Sequence, residues 1–205
     1  MMTQPGNDPA AVGRAVASLR AGRLALFPTE TVYGVGADLF NEAGVDLLYR
    51  IKRRPRSRPL LAHVDDATMA RELVSVWPAR AAALAERFWP GPLTLILPRA
   101  ERTPMIVTAG GPTLGLRCPD HPVVRALIGA LGGPIAGTSA NEHGEPPASS
   151  LDEARRWFPA DTVEAVDGPP APAGTPSTVL LLGEDPGSDR LLRAGPITAQ
   201  MLGMG

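Results

Sequence analysis

Leu24-Ala25-Leu26-Phe27 is an apolar run closed by Pro28, and the nine residues after it, Thr29-Glu30-Thr31-Val32-Tyr33-Gly34-Val35-Gly36-Ala37, turn polar and glycine-rich. Four apolar residues ending at a proline read as a short buried strand, and the polar segment as a loop at its end. Helical spacing flanks this unit on both sides. Upstream, Asp8-Pro9 supplies a cap and a first-turn proline, Val12, Val16 and Leu19 form a stripe, and Gly22 stops it. Downstream, residues 42–53 place Val45, Leu48 and Ile51 on one face and end before Pro55. The alternation continues. Strands are expected at 59–64, 93–97, 113–119 and 134–137, and helices at 66–74, 79–88, 121–131 and 151–158. Three short strands near Val163, Val179 and Leu191 and a terminal helix from Pro196 complete the chain. This pattern predicts an α/β fold whose sheet is covered by helices. The last strands lack long crossovers, so a mixed parallel and antiparallel sheet is expected over a doubly wound one. One domain is expected over residues 1–205, with a core of about 9–203 and no second C-terminal domain.

The composition narrows the function. The chain has 205 residues, 44% hydrophobic and only 4% aromatic, enough for one aliphatic core. Cys118 is the sole cysteine, which excludes an internal disulfide and a cysteine metal cluster. His63, His121 and His143 show no metal-ligand spacing. No run is long enough for a membrane span and the start lacks the character of a signal peptide, so a cytoplasmic location is expected. There is no P-loop, no glycine fingerprint opening a helix and no Gly-x-Ser-x-Gly elbow.

Charge is concentrated in one place. Arg50-Ile51-Lys52-Arg53-Arg54-Pro55-Arg56-Ser57-Arg58 carries six cations and no acid, in a chain of net charge −1 whose only lysine is Lys52. A focused basic patch on a mildly acidic body favours a polyanion bound at one point. The simpler explanation is that cations at a helix exit complement its dipole. Other polar groups gather just past expected strands: Thr29 and Thr31, His63, Arg117, Ser139 and Asn141, Ser177 and Arg193. Ligands of open α/β sheets collect at such strand ends. Taken singly, each has an ordinary reading as a turn residue, a surface ion pair or a core histidine. Taken together, cations and hydroxyls with few carboxylates suit stabilising charge on transferring phosphorus, and do not suit hydrolysis by paired acids.

The segment 28–37, Lys52-Arg53-Arg54-Pro55 with His63, Trp89-Pro90-Gly91-Pro92-Leu93-Thr94, Leu116-Arg117-Cys118-Pro119, Ser139-Ala140-Asn141, Pro176-Ser177-Thr178-Val179 and Leu192-Arg193-Ala194-Gly195-Pro196 strongly resemble the YrdC-like threonylcarbamoyl-adenylate synthases. The resemblance runs in order over nearly the whole chain. It implies a mixed sheet with a large concave basic cavity. It also implies a reaction: L-threonine, bicarbonate or carbon dioxide, and ATP give threonylcarbamoyl-AMP and pyrophosphate. The product serves the N6-threonylcarbamoyl modification of tRNA adenosine 37 through a downstream threonylcarbamoyltransferase complex. By matching positions, Thr31, His63, Arg117 and Ser177 would hold threonine. Lys52, Arg54, Arg58, Thr113, Ser139, Asn141 and Arg193 would engage ATP, with Lys52 and Arg54 as the catalytic pair. Arg58 departs from the pattern, standing where a small polar residue is common. Mg2+ would be held mainly by the ATP phosphates, with no protein-bound metal. The competing readings are a module binding tRNA or double-stranded RNA, and a paralogue with altered carbamoyl or nucleotide chemistry.

Overall fold

The first helix forms where its caps say it should. In a computed structural model describing residues 8–142, 144–158, 160–169 and 174–204, α1 is Pro9–Arg20, its first turn closed by Ala10 N–H donating to Asp8 Oδ1 at 2.9 Å. Asn41 caps α2 (Glu42–Ile51) through Gly44 N–H at 3.1 Å. His121 Nδ1 accepts from Val123 N–H to open α5 (Pro122–Leu131), which Gly132 ends in the left-handed region at φ 75°. Between them lie α3 (Ala67–Arg71) and α4 (Ala79–Phe88), and α6 (Leu151–Arg155) follows. His143 and residues 170–173 of the proline-rich loop lie outside the described residues, as do residues 1–7.

Among the described residues nine strands form one sheet: β1 (Leu24–Phe27), β2 (Gly34–Asp38), β3 (Leu61–His63), β4 (Leu93–Pro98), β5 (Thr113–Arg117), β6 (Ile135–Ser139), β7 (Val163–Ala165), β8 (Thr178–Leu181) and β9 (Arg190–Arg193). Their order is β7-β1-β2-β6-β3-β5-β4-β8-β9. The β1–β7, β3–β5 and β4–β8 pairs are parallel and the rest antiparallel, so the sheet is mixed as expected. Along β1 the side chains alternate between two cores. Leu24 and Leu26 join the larger core with α2, α4 and the central strands, while Ala25 and Phe27 join a smaller one under α1 and α5.

Two expectations from sequence need correction. The loop after Pro28 covers only its first half, because Gly34–Asp38 is a strand paired with both β1 and β6. Glycine is needed there by contact: a Cβ on Gly36 would stand 2.4 Å from Ile135 Cγ2 and 2.9 Å from the Ala136 carbonyl. Glycine was therefore marking close strand approach, which its loop preference conceals. The terminal helix from Pro196 is a set of turns, with Met201 N–H on Thr198 Oγ1 and Gly203 in the left-handed region.

Candidate active site

The loops after β1 and β6, the segments entering β3 and β8, and one face of β3, β4 and β5 with the end of β9 line a cavity of about 410 Å³. Its walls include Thr29, Thr31, Arg54, His63, Arg117, Ser139, Asn141, Ser177 and Arg193. Register explains the meeting. β3 and β5 run parallel with His63 beside Arg117, and β6 runs antiparallel to β3 and β2, bringing Ser139 against Gly34.

One end is a network of hydroxyls around Arg117. Thr29 Oγ1 donates to the Val32 carbonyl at 2.7 Å and lies 2.9 Å from Thr31 Oγ1, folding the β1–β2 loop into a hydroxyl-closed turn. Arg117 Nη2 donates to Thr31 Oγ1 at 2.8 Å. The same nitrogen stands 2.8 Å from Glu30 Oε1, close enough for an ion pair. The N–H directions do not serve that carboxylate, and both Glu30 oxygens are buried without a hydrogen-bond donor. Opposite, Ser177 Oγ meets Thr94 Oγ1 at 2.8 Å and accepts from Arg193 Nη2 at 3.0 Å, while Arg193 Nε donates to the Ser177 carbonyl. Burial and then the Arg117 charge lower Arg193. Two guanidiniums that line one cavity and repel each other favour an anion bound there.

His63 is sealed beneath this network. Its ring packs edge-on to Phe27 at 5.6 Å, and Nδ1 is buried without a partner. Burial, and then the Arg117 charge, hold the imidazole down to about 3, so it is neutral at ordinary pH. The folded protein must bind the proton that an unfolded histidine takes near pH 6.5 at much lower pH. Its contribution to stability is therefore complete above about pH 6.5 and is lost as pH falls toward 3. Between pH 7 and about pH 4.5 the wild type is expected to lose about 2.5 kcal/mol more than His63→Phe in urea unfolding. Equal losses would mean that His63 charges freely in the fold.

The other end is built on the basic run, and here the sequence reading changes. Arg54 lines the cavity, anchored by Nε to the Arg58 carbonyl at 3.0 Å and Nη2 to the Pro59 carbonyl at 2.7 Å. Lys52 does not line it. Its side chain is 1% exposed and its ammonium is bonded to the carbonyls of Ser139 and Asn141. Arg58 contributes its carbonyl to Arg54 and Tyr49 while its side chain is exposed. Thr113 opens β5 on the face shared by Gly115 and Arg117, about 13 Å along the strand from Arg117 and outside the cavity lining. The run is also not a free basic patch. Arg50 and Arg56 share Asp46, and Arg53 pairs with Glu142. These partners come from one turn earlier in α2 and from the β6 exit loop, which a scan of the run itself omits.

Sequence reasoning gave no role to Thr94, Thr138 or Glu145, all in the lining. Thr94 had a signal, as the one polar residue inside Leu93-Thr94-Leu95-Ile96-Leu97. Cys118 is buried, donates to the Asp65 carbonyl and is pushed up to about 11 by burial, which leaves it an unreactive thiol.

The family described as Telomere recombination (Sua5_yciO_yrdC) matches residues 17–195. A threonylcarbamoyl-AMP synthase of Bacillus subtilis (strain 168) is 41% identical over 197 residues, 96% of this chain and 56% of that protein. A putative threonylcarbamoyl-AMP synthase of Mycobacterium leprae is 35% identical, over 98% of this chain and 91% of that protein. The solved structure of Pyrococcus abyssi Sua5 complexed with L-threonine superposes with a TM-score of 0.86 at 38% identity, covering 90% of this chain and 54% of that one. The chain thus spans about half the length of the first curated relatives it matches.

Proposed function

Because this chain belongs to the Sua5/YciO/YrdC family, we propose that its cavity makes threonylcarbamoyl-AMP and pyrophosphate from L-threonine, bicarbonate or carbon dioxide, and ATP. The observation that carries this reading is the meeting of Thr31, His63, Arg117 and Ser177, from four separate segments, in the cavity that also holds Arg54, Ser139 and Arg193. Arg117 presents a planar fork suited to a carboxylate, with hydroxyls of Thr31 and Ser177 nearby for the rest of an amino acid. The neutral His63 ring offers polar contact without adding a charge. In the reaction, the threonine amine adds to carbon dioxide and loses a proton, leaving a carbamate. A carbamate oxygen then attacks the α-phosphorus of ATP, and the bond to the departing pyrophosphate breaks. Arg54 and Arg193 stabilise negative charge as it moves onto the leaving oxygen. The walls hold the reactants together and keep water from a labile carbamate.

Magnesium enters with ATP as part of the substrate. Among the described residues no group of three or more His, Cys, Asp or Glu side chains could hold a metal ion, and Glu145 is the one carboxylate in the cavity lining. That donor set fits an ion carried on phosphates and water. The chain works as one domain in the cytoplasm and passes its product to a downstream transferase acting on tRNA. No helix among the described residues is long and apolar enough to cross a membrane. The pairing of Arg50, Arg53 and Arg56 with acids favours this reading over an RNA-binding face built on that run.

Pyrophosphate release is expected to require threonine, bicarbonate and Mg·ATP together, and calorimetry is expected to detect threonine binding by the protein alone. Release that ignores threonine would sink the assignment and leave a nucleotide-hydrolysing paralogue.

A further inference from the structure

The only lysine of the chain is buried in the wall of the cavity. Its ammonium donates to the Ser139 carbonyl and, at 2.7 Å, to the Asn141 carbonyl, with Asn141 Oδ1 at 3.4 Å. Three acceptors use the three hydrogens of an ammonium. The two residues held this way are the polar groups at the exit of β6. Asn141 extends the hold along the loop, since its Nδ2 donates to the Glu142 carbonyl at 2.9 Å and to the Glu145 carbonyl. Arg54, two residues further along the chain, faces the cavity.

We propose that Lys52 is a positioning residue for the nucleotide and not its ligand: its ammonium clamps the 139–145 wall, and a phosphate chain bound at Arg54 tightens that clamp. The inference rests on the cavity being a nucleotide site. Burial, and then the Arg54 charge, hold the Lys52 ammonium down to about 7. A neutral amine has one hydrogen fewer and turns a lone pair toward a carbonyl oxygen, so deprotonation loosens the wall. A bound polyphosphate offsets the Arg54 charge that opposes protonation and keeps the ammonium intact. The charged and titratable groups around it are Arg54, Tyr49 on the preceding helical turn, Glu142 on the facing loop (bonded to Arg53), and Glu145 beyond it. Among the described residues no carboxylate touches the ammonium.

A chain with one lysine makes this directly measurable. Protein labelled with 13C-lysine gives a single ε-carbon resonance. Without ligand it is expected to titrate near 7, and with saturating Mg·ATP to move up by about one unit or more, a tenfold or greater change in proton affinity. A midpoint that ATP does not move overturns the inference, as does one near the ordinary lysine value in both states. Affinity supplies the second arm. Wild-type affinity for Mg·ATP is expected to fall about fivefold from pH 7 to pH 9 and that of Lys52→Arg to stay flat, because a guanidinium keeps its charge throughout. An equal fall in both proteins overturns the coupling. If Mg·ATP fails to bind wild type at any pH, the nucleotide reading falls and this inference with it. Binding without a lysine shift removes the inference alone.

Discussion

Arg117→Ala is expected to weaken threonine binding by about 10²–10³-fold and to destabilise the fold by about 3–5 kcal/mol. Both effects come from one arrangement. The guanidinium reaches Thr31 Oγ1 and stands beside Glu30, and both members of that ion pair are largely shielded from water. Removing the cation leaves a carboxylate whose oxygens already lack a donor in a buried site, and an uncompensated charge there is costly. A second substitution separates the roles. Glu30→Gln combined with Arg117→Met removes the charge on both sides and should recover most of the lost stability while threonine binding stays as weak as in Arg117→Ala. Unfolding curves and calorimetry on the two variants check this. Recovered binding in the double variant would show that Arg117 serves only to neutralise Glu30.

Gly137→Ala is expected to act on the same end of the cavity from behind. A Cβ at this position would stand 2.6 Å from His63 Nδ1 and 2.8 Å from its Cε1, with the Val35 carbonyl at 3.4 Å. The ring cannot retreat on that side, because Phe27 packs edge-on against it, and its open side is the cavity it helps to line. One methyl group must therefore push the imidazole toward the cavity. A stability loss of about 1–3 kcal/mol and a threonine affinity lower by about tenfold or more are expected. Gly129→Ala is the matched control. Its Cβ meets nothing within 4 Å in α5, so the exchange should be neutral or stabilising by up to about 1 kcal/mol. If both variants bind threonine equally well, His63 does not shape the site.

Much of this architecture is legible in the chain because its punctuation is local. Asp8-Pro9, the run Ala79–Phe88 and the Pro122–Leu131 helix with Gly132 behind it announce themselves by caps, stripes and stops. What escapes a linear reading is pairing across the sheet. Gly34 and Gly36 look like loop residues until Phe27 and Ile135 are seen against them. Lys52 looks like part of a solvent-facing patch until the β6 exit wraps over its ammonium. The strand-end positions carrying Thr31, His63, Arg117, Ser139, Ser177 and Arg193 were visible as a pattern. Their convergence depends on strand order, and Thr113, at the far end of its strand, shows that sharing a strand with Arg117 does not guarantee a place in the same wall.

The strand order also bears on how the chain is made. β7 and β8 follow one another in sequence yet lie on opposite flanks of the sheet, with six strands between them. Ser177 and Arg193, which close one side of the bowl, leave the ribosome after every other residue named in its walls. A nascent polypeptide can stack its early helices on β1 and β2. The cavity has no complete wall until synthesis has passed Arg193, so a product terminated before that point would be a half-walled sheet lacking its Ser177 and Arg193 side.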